Sequence, residues 1–404
     1  MRSDWLQRRS QLASLDMEQS VQRQILRELL DHVRNGTTDC AAAPSAQDPA
    51  TYVASARVEE EQASIFRRVP LVAGLSADLP EIGSFVTQDH CGIPVLIVRD
   101  RDGEVRAFLN ACRHRGTRLV SEAQGRTSRF ICPFHAWSYD LEGRLAGIPH
   151  ASAFGEIDRS DLGLVRLPTC ERNGVIWIGL QADSGALLDP ALGDLAAELD
   201  GWNLSGQRLG SSRELVLAMN WKLANDTFGE TYHFEFLHRR TLSLAYHGNT
   251  TAYRTFGRHH RMVFASRSIK DIASRPESEW ELRSHATIAY FLFPNAQLLI
   301  SPRYCSLYRI APDLGRADRC VVQQAFYVDA RIEDDDRARI LQEGLALHEE
   351  VILGEDFRVA ATAQAGLASG LLPRLIFGRN EPALHHYQAV FATALGRDAR
   401  SRTE

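Results

Sequence analysis

The 404-residue chain reads as an α+β protein: a small all-β domain, then a larger domain in which an antiparallel sheet is wrapped against a long C-terminal helix. Three observations predict this. Short apolar-polar alternations separated by turn residues fill the region from about Gly83 to Leu167, which is the pattern of half-buried strands. Longer β-branched and aromatic runs follow beyond residue 205. Asp334 to Ser369 then carries helical periodicity and no proline.

In chain order, Leu6, Leu12, Leu15, Val21, Ile25, Leu26, Leu29, Leu30 and Val33 recur at helical spacing among charges and predict one or two amphipathic helices, ended by Asn35-Gly36. Residues 36 to 50 are small, polar and proline-containing, and read as a linker, with a second short helix from Val58 to Phe66. This extension reads as packing or an oligomer contact, with no chemistry of its own. The strands Pro94 to Val98 and Val105 to Leu109 are joined by the turn Arg101-Asp102-Gly103. The apolar run Gly174 to Leu180 reads as a buried strand at the entry to the next domain. Glu214 to Met219, Ala286 to Phe293, Ala296 to Ile300, Tyr304 to Ile310 and Val321 to Val328 read as strands of the large sheet. The helical stretch turns Ile340, Leu341, Leu345, Leu347, Val351 and Ile352 inward and leaves a cavity over the sheet. The expected division is 1–60 for the extension, 61–172 for the β domain and 173–404 for the larger domain.

Composition excludes several classes of function. Hydrophobic content of 44% is that of a globular protein, and 46 basic residues balance 51 acidic ones along the chain, so no nucleic-acid or anionic-membrane partner is expected. No run of about 18 apolar residues occurs and the N-terminus lacks the apolar core of a signal peptide, which predicts a cytoplasmic location. Cys40, Cys91, Cys170, Cys305 and Cys320 are too scattered for a disulfide framework and read as free thiols.

The chemistry begins at Cys112-x-His114, followed after seventeen residues by Cys132-x2-His135. Two thiolates and two imidazoles also suit structural zinc, so ligand type alone does not decide. Ligand order does: each arm offers one Cys and one His, which lets both sulfurs bind one metal and both imidazoles another, as a [2Fe–2S] centre with mixed ligation requires. Gly116 and Pro133 let the arms turn tightly, and Phe130, Phe134 and Trp137 can screen one side from water.

Glu230, His233 and His238 form a second constellation. Two imidazoles and a carboxylate on one face of an ion, with other positions open, is the site of non-haem Fe(II) oxygenases. Glu230 and His233 share a helix face, but His238 lies about 140° further round a regular helix, which predicts distortion between Phe234 and Leu237. Glu350, Glu355 and Asp356 are candidates for the third ligand, with Asp356 preferred because the segment after it should line the same cavity. Phe228, Phe234, Phe236 and Phe291 are candidates for an apolar substrate pocket, against the commoner role of such residues in core packing.

At these residues the chain resembles the oxygenase alpha subunits of the Rieske non-haem iron oxygenases, over residues from about 60 to 390. Cys112-Arg113-His114-Arg115-Gly116 and Cys132-Pro133-Phe134-His135-Ala136-Trp137 are similar to the family's cluster arms. Asn220-Trp221-Lys222 with Glu230-x2-His233-x4-His238 resembles its iron site. The resemblance implies a Rieske [2Fe–2S] domain, a helix-grip (START-like) catalytic domain binding mononuclear Fe(II), and a head-to-tail homotrimer with or without a beta subunit. It further implies that His135 hydrogen-bonds Glu230 across the subunit interface, and that Glu230 hydrogen-bonds His233. Asp226 stands where the family usually has Asn, and Ala136 replaces a common Gly with little expected effect. Glu230, where Asp is frequent, resembles the branch acting on quaternary ammonium compounds.

The resemblance implies a terminal oxygenase that uses O2 to hydroxylate an aromatic or alicyclic organic substrate. No flavin, nicotinamide or plant-ferredoxin fingerprint is visible, so electrons are expected from a separate reductase and/or ferredoxin. The alternatives are an oxygenase or demethylase of a quaternary ammonium, N-methyl or O-methyl compound, a Rieske electron carrier with an inactive second domain, and a zinc-stapled binding module.

Overall fold

The computed structural model describes residues 17–181, 188–189 and 191–397. Leu6, Leu12 and Leu15 of the expected N-terminal helices lie outside the described residues. The chain forms two compact units, Gln62–Pro190, and Met1–Glu61 with Ala191–Glu404.

In the first unit, Ser84–His90 (β3), Ile93–Arg99 (β4), Val105–Leu109 (β5), Gln124–Arg126 (β6) and Arg166–Leu167 (β10) build an antiparallel sheet in the order β10-β5-β4-β3-β6. Gly103 takes a φ of 83° in the β4–β5 turn, a conformation that an L side chain resists. Phe130–Ile131 (β7), Ser138–Tyr139 (β8) and Leu145–Gly147 (β9) make a small sheet beneath the second arm. Phe85, Leu96, Phe108, Phe130, Tyr139 and Leu164 pack into one core that includes both Cys112 and Cys132.

A third sheet in this unit pairs Leu71–Leu75 (β2), Val175–Ile178 (β12) and Thr169–Arg172 (β11). The apolar run expected to open the larger domain pairs instead within the β unit. The physical reason is pairing: all four residues of β12 are buried between two strands of this unit, which a run of hydrophobicity cannot reveal.

The second unit is organised on a seven-stranded antiparallel sheet. Its strands are Gln207–Leu217 (β13), Tyr246–Phe256 (β14), His259–Ser266 (β15), Ala286–Leu292 (β16), Ala296–Ile300 (β17), Cys305–Pro312 (β18) and Cys320–Asp329 (β19), in the order β13-β19-β18-β17-β16-β15-β14. The hairpin β14–β15 was not among the expected strands. Its Arg261, His259 and His260 look out of place in a buried strand, but each is buried with a partner: Arg261 with Glu198, His259 with the Phe293 N–H, His260 with His386.

The N-terminal extension folds with this second unit. The helix Gln19–Asn35 buries Ile25, Leu26, Leu29 and Leu30, about 1.5–3 kcal/mol of transfer free energy each. Gly36 caps it in the left-handed region at φ 62°. The expected linker contains a strand, Ser45–Gln47, paired with Leu375–Phe377. Ser55–Glu61 then delivers Glu61 to the core, where both its oxygens lie 2.7 Å from Lys222 Nζ and one accepts from Trp221 Nε1 at 2.8 Å. Glu61 is 0% and Lys222 1% exposed. Glu61 also accepts from Arg57 Nε at 3.2 Å, so Glu61→Gln strands two cations in low dielectric and should cost about 3–5 kcal/mol of stability, read from the shift in urea midpoint; Glu61→Leu with Lys222→Met should recover only part of it, since Arg57 and Trp221 Nε1 still lose their acceptor.

The long C-terminal helix is interrupted. An α-helix at Asp334–His348 passes into a π-helical segment, Glu349–Phe357, and back to α over Arg358–Ala368. Ile340, Gly344 and His348 form the buried stripe of its first part, whereas Leu347, expected to face inward, is 38% exposed.

Candidate metal centres

The two cluster arms are built alike. The Cys112 N–H donates to the Thr117 carbonyl at 2.8 Å and the Gly116 N–H to the Cys112 carbonyl at 2.8 Å. In the second arm the Cys132 N–H donates to the Trp137 carbonyl at 2.8 Å and the Ala136 N–H to the Cys132 carbonyl at 3.0 Å. Each arm thus closes over a residue in the left-handed region, Gly116 at φ 74° and Ala136 at φ 55°. The Gly-to-Ala change is not neutral in conformation: Ala136 holds a strained backbone that glycine would adopt freely, a cost of about 1 kcal/mol.

Sulfurs and imidazoles are sorted by depth. Cys112 is 2% and Cys132 3% exposed, while His135 is exposed at the loop tip. The His114 and His135 rings approach with centroids 4.6 Å apart. Buried His114 Nδ1 has no hydrogen-bond partner among the described residues, and partial desolvation lowers the pKa of this ring, which leaves a neutral nitrogen free for a metal. Burial raises the Cys112 thiol, against a bond from the Tyr139 hydroxyl at 3.3 Å. Two buried sulfurs under two outward imidazoles fit a [2Fe–2S] cluster with one Cys-ligated and one His-ligated iron. Trp137 stacks on His114 at 4.9 Å, and Phe154, which no sequence signal marked, meets both rings edge-on. Of the other expected screens, Phe130 is in the core and Phe134 is 54% exposed against His135.

The second constellation follows the short helix Trp221–Asp226, whose N-cap is the Asn220 side chain accepting from the Lys222 N–H. Glu230 does not share a helix face with His233. It precedes a 3-10 turn, Tyr232–Glu235, accepting the His233 backbone N–H at 3.0 Å on one oxygen and the His233 Nδ1 hydrogen on the other. Leaving the α-helical path at this turn is what brings His238 round, in agreement with the expected distortion.

His233 Nε2 and His238 Nε2 face each other at 3.1 Å, with Asp356 Oδ1 at 3.4 Å from the first and 3.0 Å from the second. His238 is 0% and Asp356 6% exposed. Glu355 is not at this point: its Oε2 accepts from His238 Nδ1 at 2.6 Å and from the Thr241 hydroxyl at 2.7 Å. Glu350 lies at the start of the π segment, outside the cluster of His233, His238 and Asp356. When His233 is neutral, each histidine donates Nδ1–H to a carboxylate, and two Nε2 lone pairs then face each other beside a third carboxylate. Such lone pairs cannot bond one another, and the group fits a cation. Burial disfavours charge on His233, yet its bonds to Asp356 and Glu230 lift its pKa to about 10, while Asp356 is held below the usual carboxylate range despite its burial. A metal entering here displaces that proton, so affinity should weaken as pH falls.

Glu355→Gln should weaken retention of the mononuclear metal about 10–100-fold, because the outer carboxylate fixes the tautomer of His238; chelator competition with iron quantitation measures it. Asp226, where the family pattern has Asn, is half-buried and accepts from the Tyr52 hydroxyl at 2.7 Å, and desolvation pushes its pKa up to about 7.

The candidate pocket residues separate. Phe228 is buried against Tyr308 and Phe357, the residue after Asp356, and Phe234 contacts both His233 and His238. Phe236 is 56% exposed beside Tyr232, and Phe291 packs among Tyr387, Phe391 and His260. Of the four, Phe234 alone contacts the metal-facing histidines, and Phe228 adjoins the group through Phe357.

Comparison with known proteins agrees with both centres. Residues 70–168 match the Rieske [2Fe-2S] domain, and residues 205–397 match the ring hydroxylating alpha subunit (catalytic domain). The glycine betaine monooxygenase oxygenase subunit of Pseudomonas aeruginosa is 31% identical over 226 residues, 55% of this chain and 49% of that protein. The biphenyl 2,3-dioxygenase alpha subunit of Rhodococcus jostii is 33% identical over 192 residues, 46% of this chain and 42% of that one. These matches span about half the length of the curated relatives or less. Two solved structures share the fold at 20% identity: a quaternary ammonium Rieske monooxygenase (TM-score 0.74, 88% of this chain, 96% of that one) and naphthalene 1,2-dioxygenase from Rhodococcus sp. (TM-score 0.72, 94% and 99%). A Rieske domain joined to a ring-hydroxylating catalytic domain makes this chain a member of the Rieske non-haem iron oxygenase alpha subunits.

Proposed function

We propose that the chain is the terminal oxygenase of a multicomponent system, hydroxylating an aromatic or alicyclic compound with O2 and electrons from a separate reductase and/or ferredoxin. The observation that carries this reading is the convergence on one point of His233 and His238 from a single turn segment with Asp356 of the π-helical segment. When bound, mononuclear Fe(II) supplies open positions at which dioxygen is reduced, and a [2Fe–2S] cluster supplies single electrons.

In this reading Cys112, His114, Cys132 and His135 hold the cluster, and His233, His238 and Asp356 hold the iron. Glu355 keeps His238 in its metal-binding tautomer. Glu230 does the same for His233, and its oxygens, each with two lone pairs, can accept a further N–H from His135 of a neighbouring copy of the chain. That bridge makes a homotrimer, with or without a beta subunit, the assembly in which the site is complete. Phe228 and Phe234 give the reacting region apolar walls that suit a hydrocarbon ring and exclude water. The buried free thiols Cys91, Cys305 and Cys320 suit a reducing cytoplasm, and no described helix is long and apolar enough to cross a membrane.

A second reading, oxygenation of a quaternary ammonium or N-methyl compound, is supported by Glu230 at the bridging position and by the names of two of the four proteins compared above. Substrate-dependent oxygen uptake with a surrogate reductase, over a panel of aromatic, alicyclic and betaine-type compounds, separates the two. Uptake with the rings and about three irons per chain supports the first; uptake with the betaines alone supports the second. About two irons per chain and no uptake with any compound would leave only an electron carrier.

A further inference from the structure

A second group of metal-type donors lies at the N-terminal helix, apart from the residues given a role so far. Glu28 and His32 are four residues apart on the helix Gln19–Asn35, hence on one face. Gly36 turns the chain at the helix end, with its N–H and that of Thr37 both donating to the His32 carbonyl. The returning strand-like segment brings Asp39 back to the same face.

His32 and Asp39 are each fixed by contacts that leave one atom over. The His32 Nδ1 is bonded to the Thr37 hydroxyl at 2.9 Å, which orients the ring. Its Nε2 is buried, has no hydrogen-bond partner among the described residues, and lies 3.4 Å from Asp39 Oδ1. Asp39 is held to strand β14 twice: its N–H donates to the Thr251 carbonyl at 3.1 Å, and its Oδ2 accepts the Tyr253 N–H at 2.7 Å. Oδ1 is left facing the histidine. One donor atom from each of Glu28, His32 and Asp39 falls within 4.8 Å of the others. Arg261, the nearby cation, is engaged by Glu198. The Glu28 and Asp39 carboxylates face each other beside the His32 ring; burial and a hydrogen bond to Asp39 lift the Glu28 pKa to about 7, and a cation in the same place would relieve the same repulsion.

We propose that Glu28, His32 and Asp39 form a divalent transition-metal site, with imidazole and carboxylate ligands suited to zinc and at least one position open to water. His32 and Asp39 are 15% and 31% exposed, which gives an entry path and room for that water. The bound ion would fasten the N-terminal helix to β14, the edge strand of the catalytic sheet. Its role is therefore to hold the extension in place rather than to take part in oxygen chemistry.

The test uses the full chain with its cluster and mononuclear iron loaded and Zn2+ as the probe. Isothermal titration should show one zinc per chain taken up with no loss of iron, and a melting temperature raised by a few degrees. His32→Ala should abolish the uptake and the stabilisation, and the conservative Glu28→Gln should weaken affinity about 10-fold or more while far-UV circular dichroism is unchanged. His233→Ala combined with His238→Ala should still bind this zinc, which separates the site from the iron centre. No uptake by the loaded wild-type chain, or uptake of equal affinity in His32→Ala and Asp39→Asn, would overturn the proposal.

Discussion

Glu230→Ala is expected to retain both iron centres and to lose coupled oxygenation, with turnover falling on the order of 100-fold or more, about 3 kcal/mol of barrier. Glu230 touches no other member of the metal-facing group but His233, through the ring Nδ1 and the backbone N–H. Its loss frees the His233 ring as Glu355→Gln frees that of His238, so iron affinity should fall about 10–100-fold, but His233, His238 and Asp356 all remain and saturating Fe(II) fills the site, while the carboxylate that can accept an N–H from two sides at once is gone. Glu230→Gln separates local folding from bridging: the amide oxygen can still accept the His233 backbone N–H and hold the turn, but no longer offers two anionic oxygens. Iron quantitation, the visible spectrum of the cluster and reductase-dependent oxygen uptake are the three readouts. Normal uptake in the alanine variant would remove Glu230 from the electron path; loss of iron would make it a support of the metal site instead.

His238→Ala should lower iron from about three to about two per chain, leave the cluster spectrum unchanged and abolish oxygen uptake. His238 is fully buried and is gripped on one side by Glu355 and on the other by Asp356. Alanine leaves both carboxylates without that partner, so the apo site should also lose the field that favours a cation of fixed geometry. Metal-site geometry tolerates little displacement, and two ligands on separate elements do not retain the ion that three hold. Retention of three irons with full uptake would exclude His238 as a ligand.

Much of this was legible in the sequence because ligand chemistry is local. The two Cys/His arms are short loops whose ligands lie within four residues of each other, and their hydrogen-bond pattern repeats between the arms. The distortion after His233 followed from helix geometry alone. Less legible were residues whose role is decided by a distant neighbour. Glu355 and Asp356 are adjacent acids on one helical segment, and only the π-helical turn sets Asp356 on the imidazoles and Glu355 on the back of His238. Among four equivalent phenylalanines, Phe236 faces solvent and Phe291 fills core because the turn and the sheet register put them there.

The sequence by itself determined the family, the cluster arms, the histidine pair and the architecture, since each rests on residue type, spacing or period along a few consecutive residues. Only the tertiary structure decided which acid meets the two histidines, which strand belongs to which unit, and that Glu28, His32 and Asp39 meet. Those are contacts between segments far apart in the chain, fixed by packing and by where buried polar groups find partners, and periodicity carries no information about them.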